Sequence, residues 1–156
     1  MARRIRKKSL VELNFASLTN FILTPEDKKD FCLGIQLFNK EKFWEAHESW
    51  EKVWLRHPED GRIFLQGLIQ LAAAYHQFQK KIHRGFVAHL RHAQERLVLF
   101  PKNFLSIDVD FLRKSITQTL DRIVYEDSLT STNYASITPV KINVSSGKRF
   151  PNSKDS

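Results

Sequence analysis

Apolar residues recur at spacings of three and four through most of the chain, and short polar breaks divide them into five helical stretches. Thr24, Pro25, Glu26 and Asp27 make a strong start for the first, with threonine as cap, proline in the first turn and acids against the positive helix end. It is predicted over 25–38, with Phe31, Ile35 and Phe38 on one side. Asn39 and Lys40 form the turn, and a second helix over 41–56 stops ahead of Pro58. Its residues Phe43, His47, Trp50 and Trp54 are spaced by four, three and four, a core-facing stripe with His47 in its middle. The third helix, over 62–81, is apolar almost all round and is expected to be the central one. Gln66, Gln70, Ala73 and Gln77 interrupt it as a stripe, and His76 lies nearer the face of Leu65, Ile69 and Ala72. Gly85 reads as the next breaker. The fourth helix, over 86–100, carries Phe86, Leu90, Ala93 and Leu97 inward and His89, His92 and Arg96 along one flank. Asp108 caps a fifth, bearing Phe111, Leu112, Ile116, Leu120 and Ile123.

Helices with short turns and no convincing strand imply an all-α fold, a compact antiparallel bundle of about five helices. The expected organisation is a basic lead-in over 1–24, a helical domain over 25–127 and a disordered Ser/Thr/Asn-rich basic tail over 128–156. Within that tail, 136–144 alternates enough to form a strand-like arm on a partner. The hairpin over 33–58 resembles one tetratricopeptide unit through Leu33, Gly34, Leu37, Ala46, Trp50 and Pro58. At the period of about 34 residues such repeats require, Gly34 meets Leu68 and Ala46 meets Lys80, so no second copy is expected.

The net charge of +8 is unevenly placed. Residues 1–8 carry +5 and residues 129–156 carry +3, while 9–128 holds 16 basic and 16 acidic residues. A neutral helical region argues against a folded nucleic-acid reader, although basic tails can attract nucleic acid weakly and with steep salt dependence. No apolar run approaches the roughly 20 residues of a membrane span. Cys32, the single cysteine, excludes an internal disulfide and a cysteine zinc cage. The cytoplasm is the expected compartment, or the plastid stroma if residues 1–20 are a transit segment.

The candidate chemistry sits in the run FWEAHESWEKVW over 43–54, which packs three tryptophans, three carboxylates and a histidine into one helix. Two inward imidazoles, His47 and His76, need partners, because an unpaired buried polar group costs about 1–3 kcal/mol. Glu51, Gln66 and Gln70 are the expected ones, in a closed network that fixes helix register. A sharper reading is a divalent metal held by His47 and Glu51, one helical turn apart, with His76, or His89 with His92, supplying the rest and Glu48 as a base. A third is a small-molecule pocket lined by Trp44, Trp54, Gln66 and Gln70, with Glu45 a further candidate.

These residues resemble a known family. Leu37, Phe38 and Asn39, then Phe43 to His47 with Glu48, Trp50, Glu51 and Trp54, then FLQGLIQ over 64–70, His76 and Arg84-Gly85 are similar to the DUF309 family across roughly residues 28–124. The resemblance implies a small all-helical fold found in bacteria, archaea and plastids, and no particular reaction. It implies Glu45, His47, Glu48, Glu51, Gln66, Gln70 and His76 as signature positions. Lys81, Ile82 and His83 depart from the Gly-Asn turn more usual there. The expected function is a non-enzymatic module that binds a partner protein or small ligand, with oligomer formation open. The alternatives are a metal-dependent hydrolase or oxidoreductase and nucleic-acid association through the tails.

Overall fold

The computed structural model describes residues 15–125 and 136–144. Among these, five α-helices follow one another: α1 Pro25–Asn39, α2 Phe43–Arg56, α3 Ile63–Gln79, α4 His83–Leu97 and α5 Val109–Tyr125. Each packs chiefly on its neighbour in sequence, giving the expected all-α bundle. The start of α1 is a full capping box: Thr24 Oγ1 accepts from the Asp27 N–H at 3.1 Å, and Asp27 Oδ2 accepts from the Thr24 N–H at 3.0 Å. Asp108 caps α5 through Oδ1, which accepts from the Phe111 N–H at 3.0 Å. Among the described residues no helix is long and apolar enough to cross a membrane.

The α1–α2 and α3–α4 connections are the same turn, 40 residues apart. Glu41 and Lys81 take positive φ values of 61° and 60°. Behind them Lys42 N–H bonds Leu37 O and Glu41 N–H bonds Phe38 O, while Ile82 N–H bonds Gln77 O and Lys81 N–H bonds Phe78 O. Both are Schellman closures made without glycine. The two helical hairpins thus share one turn geometry, with Phe38 and Lys40 at the positions of Phe78 and Lys80. Gly85 is no breaker: the chain re-enters helix at His83, and Gly85 lies in the first turn of α4 against Gln77.

Trp50 is the centre of the first hairpin. It is fully buried, its indole N–H donates to Phe31 O at 3.1 Å, and a Cβ on Gly34 would collide with its ring. Around it Phe38, Phe43, Tyr75, Phe78 and Phe86 form a chain of edge and tilted ring contacts that ties the two hairpins together. Ring pairs of this kind add about 0.5–1.5 kcal/mol each beyond burial. The inward line of α2 is Phe43, Ala46, Trp50 and Val53, with Trp54 at its edge. His47 therefore does not sit mid-face: Ala46 takes that place, and the His47 side chain is 19% exposed. On α5, Leu112, Ile116, Leu120 and Ile123 are buried and Phe111 is exposed.

The core extends past 25–127 at both ends. A 3-10 helix, Phe15–Asn20, precedes α1, and Leu18, Phe21 and Leu23 are buried. Between α4 and α5 a small ladder pairs β1 Asn103–Phe104 with β2 Ile107–Asp108, and its tip residues Leu105 and Ser106 both have positive φ, as a two-residue hairpin requires. The segment 136–144, expected to be disordered or to add to a partner, instead lies on the protein's own core. Ile137, Val140 and Ile142 are buried, and Val144 bridges Ile107. The Asn39 amide clamps the backbone of Ile142 with two bonds of 2.9 Å, and Lys141 Nζ donates to Asn39 O at 2.7 Å. Asn39 is available because it ends α1, where side-chain amides are free to bond neighbouring backbone. The basic residues 1–8 and the rest of the tail lie outside the described residues.

Candidate functional site

On the flank where α2, α3 and α4 run side by side, the stripe predicted on α3 lines a recess of about 180 Å³. Its walls are His47, Glu51 and Trp54 from α2, Gln66, Ile69, Gln70 and Ala73 from α3, and His89 and Arg96 from α4. The helical period explains the grouping: 47, 51 and 54 recur on one side of α2, and 66, 70 and 73 on one side of α3.

The polar contacts differ from the expected ones. His47 Nδ1 does face Glu51, at 3.5 Å. Gln70 and Gln66, however, serve α4 rather than the two inward histidines. His89 Nδ1 lies 2.6 Å from Gln70 Oε1, and Arg96 Nε lies 3.5 Å from Gln66 Oε1. His76 is half-buried and packs its ring on Trp44, at 5.2 Å between centroids. Trp44 also stacks flat on His47, at 5.0 Å and 6°, while remaining 48% exposed. It is a lid over two imidazoles at the outer edge, not a wall of the recess. Glu45 and Glu48 point to solvent. His47, Glu51 and His76 do not converge, and among the described residues no three His, Cys, Asp or Glu side chains stand close enough to share an ion.

The recess is rich in unused donors. Trp54 is 8% exposed, and its indole N–H has no acceptor among the described residues, while its ring carries the Arg62 guanidinium at 4.4 Å. Arg96 reaches the His92 carbonyl at 3.0 Å, and its nearest carboxylate, that of Glu95, is 4.0 Å away. Burial lowers the pKa of Arg96, opposed only by Glu95. Burial also lowers that of His89, helped by His92 and His47, which favours the neutral imidazole there.

A second polar cluster is invisible to the sequence pattern. At the start of α1, Asp27 is 1% exposed, and its Oδ2 lies 2.5 Å from His57 Nε2, just past the end of α2. His57 Nδ1 faces Glu59 at 3.1 Å, the His57 carbonyl accepts from Arg62 at 2.9 Å, and its ring meets Phe21 edge-on. Arg56 spans Glu26, Asp27 and Asp30. Burial pushes the Asp27 carboxyl up, but the Thr24 backbone N–H and His57 outweigh it and hold the group below its ordinary value. The capping motif is the one visible signal; its histidine partner stands 30 residues away in sequence.

Fold and motifs together define an all-helical domain of paired hairpins with a polar seam. Residues 31–89, from α1 into α4, match the model of the DUF309 family, described as a domain of unknown function. The match is shorter than the 28–124 span of the resemblance and leaves α5 outside it. No curated protein matches the chain in sequence.

Proposed function

We propose that this protein is a non-enzymatic ligand-binding module whose recess between α2, α3 and α4 holds a small polar molecule. The observation that carries the reading is Trp54: a buried N–H donor without an acceptor among the described residues, lining a cavity beside a half-buried arginine whose nearest carboxylate, that of Glu95, is 4.0 Å away. Native interiors rarely leave such donors idle, and a bound ligand supplies the acceptor. The volume, about 180 Å³, lies below the roughly 300–1,000 Å³ of pockets for drug-sized ligands, which favours a small metabolite.

The test is a screen of small polar metabolites against ¹⁵N-labelled full-length protein, read at the three tryptophan indole resonances. The expected result is a saturable shift of the Trp54 indole, assigned with Trp54→Phe, and a smaller response at Trp50, which already donates to Phe31 O. A screen in which no molecule moves Trp54 would remove the proposal.

A further inference from the structure

The chemistry of the ligand can be taken further, on the premise that the recess is a ligand site. Charge there is divided between opposite walls. On the α2 wall stands Glu51, a half-exposed carboxylate whose facing group is His47 at 3.5 Å. On the α4 wall stands Arg96, whose side chain is 20% exposed and whose hydrogen bonds go to two neutral oxygens, Gln66 Oε1 and His92 O. The oxygens of Gln66 and Gln70 are already turned to Arg96 and His89, so their amide N–H groups are what they have left to offer. Trp54 adds its idle N–H, and Ile69 and Ala73 give the floor an apolar patch.

A half-desolvated guanidinium beside spare N–H donors is built for a carboxylate, which accepts from several donors at once. A simple anion would also meet Glu51 in the same small space, and a simple amine would meet Arg96. A molecule carrying both charges satisfies both walls. We propose that the recess binds a small zwitterion of the amino-acid class, its carboxylate on Arg96 and the Trp54 N–H, its ammonium on Glu51, and its short side chain over Ile69 and Ala73. The lowered pKa of His89 agrees with this, since a neutral imidazole leaves Arg96 as the cation of that wall and calls for a single negative charge.

The experiment uses matched probes on the full chain, followed at the Trp54 indole resonance. Alanine, serine and valine are each titrated beside the deaminated acid and the decarboxylated amine. At least one amino acid is expected to bind saturably, with its acid and amine counterparts weaker by about tenfold or more, the effect of one charge-assisted bond. Arg96→Gln should abolish binding, and Glu51→Gln should reduce the amino acid to the level of its deaminated acid, while the remaining spectrum reports an intact fold. If an acid or amine binds as tightly as its amino acid, or Glu51→Gln leaves the selectivity unchanged, the zwitterion assignment falls and the recess remains a ligand site. The zwitterion assignment falls in the same way if only non-zwitterions from the wider metabolite screen bind. If neither these probes nor that screen moves Trp54, both readings fall together.

Discussion

The molecule carries two polar clusters, and they are built in opposite ways. At the start of α1, Asp27 and His57 are nearly enclosed, and the carboxylate is matched on several sides by Thr24, His57 and Arg56. Between α2, α3 and α4, the recess is open and its donors outnumber their acceptors. The first arrangement stabilises: a charge-matched network, in which Asp27 Oδ2 is hydrogen-bonded and Oδ1 faces Arg56 Nε at 3.5 Å, ties the N-terminus of α1 to the end of α2. The second leaves interaction unspent, which is what a ligand needs. The network of Asp27 and His57 is a different one from that expected around His47 and His76: it stands at the other end of the first hairpin and is made of different residues.

The comparison breaks first at Asp27. Asp27→Asn removes the charge that holds His57 and disturbs the capping box, and it should cost about 2–3 kcal/mol in urea denaturation. A double-mutant cycle with His57→Ala should return a coupling of about 1–2 kcal/mol, whereas additivity would mean the two act separately. Next comes Asn39→Ala, which frees the backbone of Ile142 and should cost about 1–2 kcal/mol. It should also speed amide exchange at Ile142 and Asn143, and unchanged exchange would show that burial of Ile137, Val140 and Ile142 alone holds the arm. Arg96→Met should change stability by less than about 0.5 kcal/mol, because a partly desolvated cation whose nearest carboxylate is the exposed Glu95 at 4.0 Å is cheaply replaced by an apolar chain of similar length. A cost comparable to that at Asp27 would make the recess a structural network too.

Acidity should separate the clusters with the smallest effects. His89 has a pKa below its ordinary 6.5, so the folded state binds its proton less readily than the unfolded chain. Its contribution is fully present above pH 6.5 and is lost as pH falls through the lower folded value. Asp27 also lies below its ordinary 3.8, so its contribution persists to more acid solution and fades only as pH drops through a value under 3.8. Stability followed from about pH 8 downward should decline first in the range set by His89, a loss that His89→Gln removes, and later in the range set by Asp27.

Which features are legible in the sequence follows from how local they are. The capping box at Thr24 and the cap at Asp108 involve residues three apart, and the sequence displays both. The buried stripe of α4, Phe86, Leu90, Ala93 and Leu97, is equally plain. The face of α2 sits one position away from the predicted one, because 46 and 47 lie about 100° apart and only packing against α1 and α3 decides which points inward. Gln66 and Gln70 stand out in the sequence, but their partners do not, since the contact with His89 and Arg96 depends on the register of α3 against α4.

Sequence by itself determined the five helices, the caps of α1 and α5, the three-carboxylate tryptophan motif and the neutral charge of the helical region, because each rests on spacing within a few residues or on composition. Tertiary structure alone decided that His57 meets Asp27, that the arm at 136–144 returns to Asn39, and that an unpartnered Trp54 faces the same small space as Arg96 and Glu51. Those outcomes join residues 30 or more positions apart or depend on how neighbouring helices slide past one another. Helix periodicity sets which side of each helix is apolar; it does not set the register between helices, and the chemistry of the recess is written in that register.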